Sequence, residues 1–137
     1  MQFTTQLLDQ LTAQAKASPR LRQNYDLRNS EKDLSQRMLN AMEPGTELPI
    51  HRHLSSSETL VVVRGKIRNN IYELETLPDG TRIPRLVEQY VVEAGGEIMG
   101  FSVSAGVWHR AESLESGTVI LECKDGAWQP LTEDEVL

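Results

Sequence analysis

The 137 residues of the chain fit one domain, predicted to span 1–137, with enough length to bury a hydrophobic core. The formal net charge of −6 argues against nucleic acid or an anionic membrane as a partner, because both require clustered lysines and arginines. No apolar run approaches the roughly 20 residues that span a bilayer, no signal-peptide pattern is present, and the single cysteine, Cys123, favours a reducing cytoplasm.

The first predicted element is an amphipathic helix over residues 5–17. Its apolar residues recur at helical spacing at Leu7, Leu8, Leu11 and Ala15. Thr4 or Thr5 can cap its start, and Pro19 ends it because a proline disfavours helical geometry in the residue before it. The following stretch, LRQNYDLRNSEKD, has no clear period and is predicted to be a connector.

From Gln36 onward the chain consists of short runs rich in Val, Ile, Leu and Thr, separated by turn sequences such as EPG, LPDG and ESG. This pattern is typical of an antiparallel β sandwich or barrel, here predicted over residues 36–124. The predicted strands are 36–42, 47–53, 58–64, 66–74, 84–92, 97–103, 107–112 and 117–124. The fold class is therefore predicted to be mainly all-β, a small barrel or jelly roll with an N-terminal helix. Residues 125–137 are predicted to form a polar surface tail anchored by Trp128.

The three histidines of the chain indicate a metal site. His51 and His53 alternate along a predicted strand, so both point to one side and can converge on one ion. Glu58 opens the next predicted strand, and a hairpin would return it to the histidine pair. If the barrel brings His109 alongside, three imidazoles and a carboxylate meet. This set suits a divalent transition metal, namely Zn, Fe, Mn, Ni, Co or Cu. The chain has neither of the glycine-rich motifs that bind nucleotides.

The spacing of these residues resembles that of a known superfamily. Gly45, His51, His53, Glu58 and Gly65 match the first signature motif of the cupins at every fixed position. The sequence SAGVWH, which ends at His109, resembles the second motif, although Ser104 stands where a proline is usual.

The resemblance extends from about Ala15 to Leu137. The segments KASPRLRQNYDL, QRMLNAMEPGTELPIHRH, ETLVVVRGKI and LESGTVILECKDG are similar to the WbuC family of cupin-fold metalloproteins. One departure is Arg28, where that family tends to carry a histidine. The resemblance implies a small double-stranded β-helix that holds a metal through His51, His53, Glu58 and His109. It also implies a homodimer and a link to surface-polysaccharide biosynthesis.

Three hypotheses for the function follow. The first is a metal-dependent enzyme acting on a small polar molecule, such as a sugar derivative or an organic acid, with Glu58 able to leave the ion and take a proton. The second is a binding or regulatory module that captures a small ligand at the metal without changing it. The third is a metal-free sugar isomerase or epimerase that uses His and Glu as general acid and base.

Overall fold

The computed structural model describes every residue from Met1 to Leu137. One α-helix, eight β-strands and a short 3₁₀ helix follow one another along the chain. Their bounds are α1 Thr5–Ala17, β1 Arg22–Asp26, β2 Ser35–Met42, β3 Glu58–Arg64, β4 Lys66–Thr76, β5 Arg82–Glu93, β6 Gly100–Val103, β7 Trp108–Ser113, β8 Thr118–Asp125 and the 3₁₀ helix Glu133–Glu135. Neither helix has the length and apolar composition needed to traverse a bilayer.

The strands form two antiparallel sheets, which confirms the predicted fold class. The larger sheet has the order β1-β2-β8-β3-β6, and the smaller has the order β5-β4-β7. Their facing sides meet in a buried apolar cluster made of Met42, Leu60, Val62, Ile67, Val92 and Ile120. Because β3 supplies two members of this cluster and also begins at Glu58, one strand contributes to both the core and the candidate site.

The predicted N-terminal helix packs on the outer side of the larger sheet. The hydroxyl of Thr4 caps α1 by accepting a hydrogen bond from the backbone N–H of Leu7 at 3.2 Å. The apolar side of the helix forms a second buried cluster with β2 and β8, composed of Leu8, Leu11, Ala15, Leu39, Ala41 and Val119. The larger sheet is therefore covered on both faces, by α1 outside and by the smaller sheet inside.

Four local predictions are wrong. Residues 22–26, predicted as connector, form β1, an edge strand that pairs with β2. Its side chains are mostly exposed, so no alternation marks the strand in the sequence. Residues 47–53, predicted as a strand, are extended but pair only through isolated bridges at His51, and Pro49 among them has no N–H to donate. The predicted strand 97–103 begins only at Gly100, and Trp128 is 54% exposed and does not anchor the tail.

Gly65, in the turn between β3 and β4, lies where the backbones of the two sheets approach each other closely. Its φ is +87°, and an added Cβ would overlap the Thr118 hydroxyl and lie 2.7 Å from the Thr118 Cα. Gly80 has a similar φ of +85° with nothing within 4 Å of its added Cβ. Gly80→Ala should lower the free energy of unfolding by about 1 kcal/mol, the cost of a left-handed alanine. Gly65→Ala adds a steric clash and should cost about 3 kcal/mol. Urea denaturation checks this, and equal losses in the two variants would contradict it.

Candidate metal centre

A pair of backbone hydrogen bonds brings the first and third histidines together. The N–H of His51 donates to the carbonyl of His109 at 3.0 Å, and the N–H of His109 donates to the carbonyl of His51 at 2.8 Å. This isolated bridge places the two imidazole centroids 4.4 Å apart. His109 is the second residue of β7, which is held in turn by β4. The bridge therefore fixes the extended segment that carries His51 to a rigid strand.

The second histidine and the glutamate complete the cluster. The carbonyl of His53 accepts a hydrogen bond from the N–H of Gly106 at 2.8 Å, which ties His53 to the turn before β7. Glu58 begins β3 and is only 4% exposed. Its Oε2 lies 3.1 Å from Nε2 of His53 and 3.7 Å from Nε2 of His109. The structure thus brings together the four residues that the sequence predicted as a set.

The ring orientations leave acceptor atoms facing one another. Nδ1 of His51 lies 3.1 Å from the carbonyl of Pro49, and Nδ1 of His109 lies 2.9 Å from the carbonyl of Val107. A carbonyl can only accept, so each Nδ1 carries the proton and each Nε2 presents a lone pair. Backbone carbonyls that orient ligand imidazoles in this way are common around metals.

Three buried atoms of the cluster lack a hydrogen-bond partner. They are Nε2 of His53, Nε2 of His109 and Oε2 of Glu58. The short distance from His53 to Glu58 does not give hydrogen-bond geometry, so proximity alone does not satisfy either atom. The ligand atoms of all four residues lie within 4.8 Å of one another. Two ligands on opposite sides of an ion at about 2.1 Å are roughly 4.2 Å apart, so a small inward shift suffices to hold a transition metal.

The charge states of the cluster also fit a cation. Burial, followed by the charge of His109, lowers the pKa of His51 from 6.5 to about 4, so this imidazole is neutral at neutral pH. Burial alone would raise the pKa of Glu58, but the neighbouring side chains of His109 and His53 and the charge of Lys124 outweigh it and hold that pKa well below its usual range. At neutral pH the site therefore offers a neutral imidazole at His51 and an ionised carboxylate at Glu58, the forms in which these groups bind metal.

The C-terminal residues hold the histidine segment from the other side, a contact that the sequence did not predict. The N–H of Arg52 donates to the carbonyl of Glu135 at 3.0 Å, and the N–H of Leu54 donates to the Glu135 carboxylate at 2.9 Å. The N–H of Leu137 donates to the carbonyl of Ile50 at 3.0 Å. The predicted surface tail is thus anchored by its last residues, which flank His51 and His53.

The interior beside Glu58 contains two further ionisable residues that sequence reasoning missed. Lys124 lies directly opposite Glu58 in the pairing of β3 with β8, and Glu122 lies opposite Leu60. Burial, followed by the charge of Glu58, raises the pKa of Glu122 to about 8, so its carboxyl is mostly protonated at neutral pH. The sequence could have identified both residues, because every second residue of a strand points to the same face and both therefore lie on the face of the buried Ile120.

The two departures from the family pattern have local explanations. Arg28 forms an ion pair with Asp26 at 2.8 Å and is not among the four clustered residues. Ser104 begins a turn closed by a 3.3 Å hydrogen bond from the N–H of Val107 to its carbonyl. Gly106 provides the positive φ of +86° in that turn, so the approach to His109 forms without the usual proline.

A two-sheet jelly roll with a histidine and glutamate cluster between its layers defines a protein of cupin fold. Residues 3–77, more than half of the chain, match the family described as a domain of unknown function, DUF6016. The chain belongs to the DUF6016 family. The narrower resemblance to the WbuC family stays a prediction. No curated protein matches the chain.

Solved structures with the same fold include three of different size. KdgF from Halomonas sp. is 17% identical with a TM-score of 0.55, over 80% of this chain and 82% of that one. An oxalate oxidase in complex with the substrate analogue glycolate is 20% identical with a TM-score of 0.58, over 84% of this chain and 55% of that one. The capsular polysaccharide assembling protein CapF from Staphylococcus aureus is 18% identical with a TM-score of 0.59, over 84% of this chain and 32% of that one. This chain thus spans about half of the oxalate oxidase and a third of CapF.

The lowered pKa of His51 predicts how acid affects the metal-free protein. Between pH 6.5 and pH 4 the unfolded chain takes up a proton at His51 that the folded chain does not. The free energy of unfolding should therefore fall as the pH drops through this window, by up to about 3 kcal/mol from this residue.

Urea denaturation in the presence of a chelator, at pH 6.5 and at pH 4.5, measures this loss. His51→Gln cannot take up the proton and should lose less stability than the natural chain between the two pH values. The acid-sensitive contribution of Glu58 is common to both proteins, so the difference between them reports on His51. An equal decline in both would contradict the assignment.

Proposed function

We propose that the chain is a metal-dependent enzyme of cupin fold that acts on a small polar molecule, such as a sugar derivative or an organic acid. The observation that carries the proposal is the convergence of three buried polar atoms, from His53, His109 and Glu58, that have no hydrogen-bond partner. Leaving such atoms unpaired costs roughly 1–3 kcal/mol each, and a bound cation removes that cost.

The four side chains have distinct roles in this proposal. His51, His53 and His109 hold a divalent transition metal as neutral ligands, and Glu58 supplies the negative charge. The ion provides Lewis acidity toward an oxygen of the substrate. Glu58 is the candidate catalytic residue, because a substrate that displaces it leaves a carboxylate positioned to accept a proton. Lys124, 3.9 Å away, keeps that carboxylate ionised until then.

The setting proposed for this activity is the cytoplasm, supported by the single unpaired Cys123. A link to surface-polysaccharide metabolism is supported by the WbuC resemblance and by the fold shared with CapF, a capsular polysaccharide assembling protein.

Metal binding is the first test. The purified chain, stripped and reloaded with each candidate metal, should bind about one ion per chain. Loss of a residue that hydrogen-bonds to a metal ligand typically weakens metal binding 10- to 100-fold. Glu58→Gln removes a ligand itself, so it should weaken metal binding by at least about 100-fold. Glu112→Gln is the matched control, because Glu112 pairs with Arg68 and Arg110 away from the cluster. Calorimetric titration measures both, and equal affinity in the two variants would overturn the proposed site.

Catalysis is tested separately from binding. The metal-loaded protein is incubated with a panel of sugar nucleotides and organic acids, and products are detected by mass spectrometry. Turnover abolished by His51→Ala supports the enzyme. A ligand that raises the melting temperature without forming product supports the non-catalytic binding module. Turnover that survives complete removal of metal supports the metal-free isomerase.

We also propose a homodimer through β5, with a second copy of this chain as the partner. β5 is an edge strand, so one side of its backbone is unpaired within the chain. It exposes four large apolar side chains by 38–47%, those of Ile83, Leu86, Val87 and Val91. Arginines 82 and 85 lie in its first half, and glutamates 88 and 93 lie in its second half. A two-fold antiparallel pairing of β5 with its copy therefore sets opposite charges against each other.

Sedimentation equilibrium tests the dimer. The natural chain should sediment at about twice its monomer mass of 15.4 kDa. Val87→Lys should shift it toward the monomer, because Val87 lies at the middle of β5 and the substitution places two lysines close together at the two-fold axis. Val61→Lys is a matched control, since Val61 is a similarly exposed strand valine outside β5. A monomeric natural chain, or an equal effect of both substitutions, would contradict the interface.

A further inference from the structure

A pocket of about 450 Å³ lies between the turn that follows α1 and the loop that follows β2. Its lining residues are Pro19, Arg20, Arg22, Gly45 and Glu47, so most of them are charged and none has a large apolar side chain. Its volume falls within the roughly 300–1,000 Å³ of small-molecule sites. None of the four clustered residues lines it, so this pocket is separate from the candidate metal centre.

The two arginines of this pocket have no side-chain partner within the chain. Seven of the ten arginines form a hydrogen bond or an ion pair through the guanidinium group, namely Arg28, Arg37, Arg52, Arg64, Arg68, Arg85 and Arg110. Arg20, Arg22 and Arg82 do not, and two of these three line the pocket. A guanidinium stays protonated in proteins and has five N–H donors, so the pocket contains two positive charges whose donors are free to bind an anion.

The two guanidinium groups lie close enough to repel each other. Burial, followed by the charge of Arg20, lowers the pKa of Arg22, and the charge of Glu122 opposes this shift. No ion pair joins Glu122 to Arg22, so the repulsion between the arginines is not removed within the chain. An anion bound by both groups replaces that repulsion with two attractions. Phosphate suits this arrangement, because the planar fork of an arginine can bond two phosphate oxygens at once.

The backbone between the two arginines has an uncommon conformation. Leu21 has a φ of +55° and is the one residue other than glycine with a positive φ. Its carbonyl accepts hydrogen bonds from the N–H of Glu43 at 2.9 Å and from the hydroxyl of Thr46 at 2.7 Å. A leucine keeps this unfavourable conformation only where surrounding contacts enforce it, and such residues cluster at binding sites. The turn therefore fixes the backbone of Arg20 and Arg22 before a ligand binds, which lowers the entropic cost of binding.

Glu47 determines which kind of anion fits the pocket. Its carboxylate lines the same pocket as the two arginines and forms no ion pair within the chain. It would repel a bare phosphate ion, whereas a hydroxyl group can donate a hydrogen bond to it. The charges therefore favour a ligand that has a phosphate group at one position and a hydroxyl group at another.

We propose that this pocket binds a phosphate monoester of a small polyhydroxy compound, with the phosphate held by Arg20 and Arg22 and a hydroxyl group donating to Glu47. The inference goes beyond the proposed function, because it requires neither the metal nor any of the clustered residues. It assigns recognition to the pocket and no reaction.

Calorimetric titration of the full chain tests the inference. Glucose 6-phosphate and glycerol 3-phosphate are the probes, and glucose and inorganic phosphate are the control ligands. Each titration is made at low ionic strength, once with the metal-loaded chain and once with excess chelator.

The variants separate the charge of the arginines from their shape. Arg20→Gln and Arg22→Gln each remove one charge, and Arg22→Lys keeps the charge without the planar fork. Arg82→Gln is the matched control, because Arg82 is the third arginine without a partner and lies at the start of β5. Circular dichroism checks that every variant is folded. Arg20 is exposed, so its replacement does not disturb the core.

We expect at least one of the two esters to bind with the same Kd in the presence and absence of metal, and glucose not to bind. Inorganic phosphate should bind at least about tenfold more weakly than that ester, because Glu47 repels it. Arg20→Gln and Arg22→Gln should each raise the Kd at least about tenfold, since each removes a charged hydrogen-bond donor. Arg22→Lys should bind more tightly than Arg22→Gln, and Arg82→Gln should stay within about twofold of the natural chain. Glu47→Ala should reduce the preference for the ester over inorganic phosphate to less than about threefold.

Four results would overturn the inference: no binding of either ester, an equal Kd in Arg22→Gln and Arg82→Gln, binding of glucose as tight as that of its phosphate, or equal binding of the ester and inorganic phosphate. Binding that requires the metal would place the phosphate at the metal centre, which would also overturn the inference but leave the proposed metal site standing. Conversely, a chain that binds the ester but no metal would retain this inference and overturn the proposed function.

Discussion

The candidate site depends on the two backbone hydrogen bonds exchanged by His51 and His109. Without them, the segment that carries His51 and His53 has no strand to hold it, because its own residues form no ladder. Backbone hydrogen bonds of this kind fix the distance between two Cα atoms regardless of side-chain identity. The ring positions are therefore set by the main chain, and the side chains only have to turn inward. The last residues of the chain reinforce this arrangement by pairing with Ile50, Arg52 and Leu54 on the opposite side.

The electrostatics of the cluster follow from this geometry. Bringing lone pairs of two imidazoles against a buried carboxylate is unfavourable unless a proton or a cation lies between them. The Nδ1 protons are committed to backbone carbonyls at His51 and His109, which leaves the Nε2 atoms as acceptors. The structure thus preorganises the site for a positive charge. Without that charge, the arrangement has a free-energy cost. Lys124 offsets part of this cost from a distance of 3.9 Å without occupying the centre.

Sequence reasoning predicted the parts of this structure that local rules determine. The helical period and the threonine cap identified α1. The spacing from Gly45 to Gly65, together with the SAGVWH sequence that ends at His109, brought the four clustered residues into one hypothesis. It failed where pairing depends on distant residues. β1 is polar on both faces and is a strand only because β2 lies beside it. The segment 47–53 has the alternation of a strand, yet its partners are single residues in β7 and at the C-terminus, and no local pattern encodes them.

The inner face of the larger sheet changes from apolar to polar along β3 and β8. This change explains how the hydrophobic core and the candidate site lie side by side. Along β3, the inward residues run from Val62 to Leu60 to Glu58, and their partners on β8 run from Ile120 to Glu122 to Lys124. The apolar end of this ladder joins the buried cluster, while the polar end forms the wall beside the histidines. Because strand parity places all of these side chains on one face, the chain needs no separate element to build a polar pocket next to its core. The apolar end gives β3 and β8 the rigidity that a site with unpaired buried charges requires, since a mobile wall would let water relax those charges.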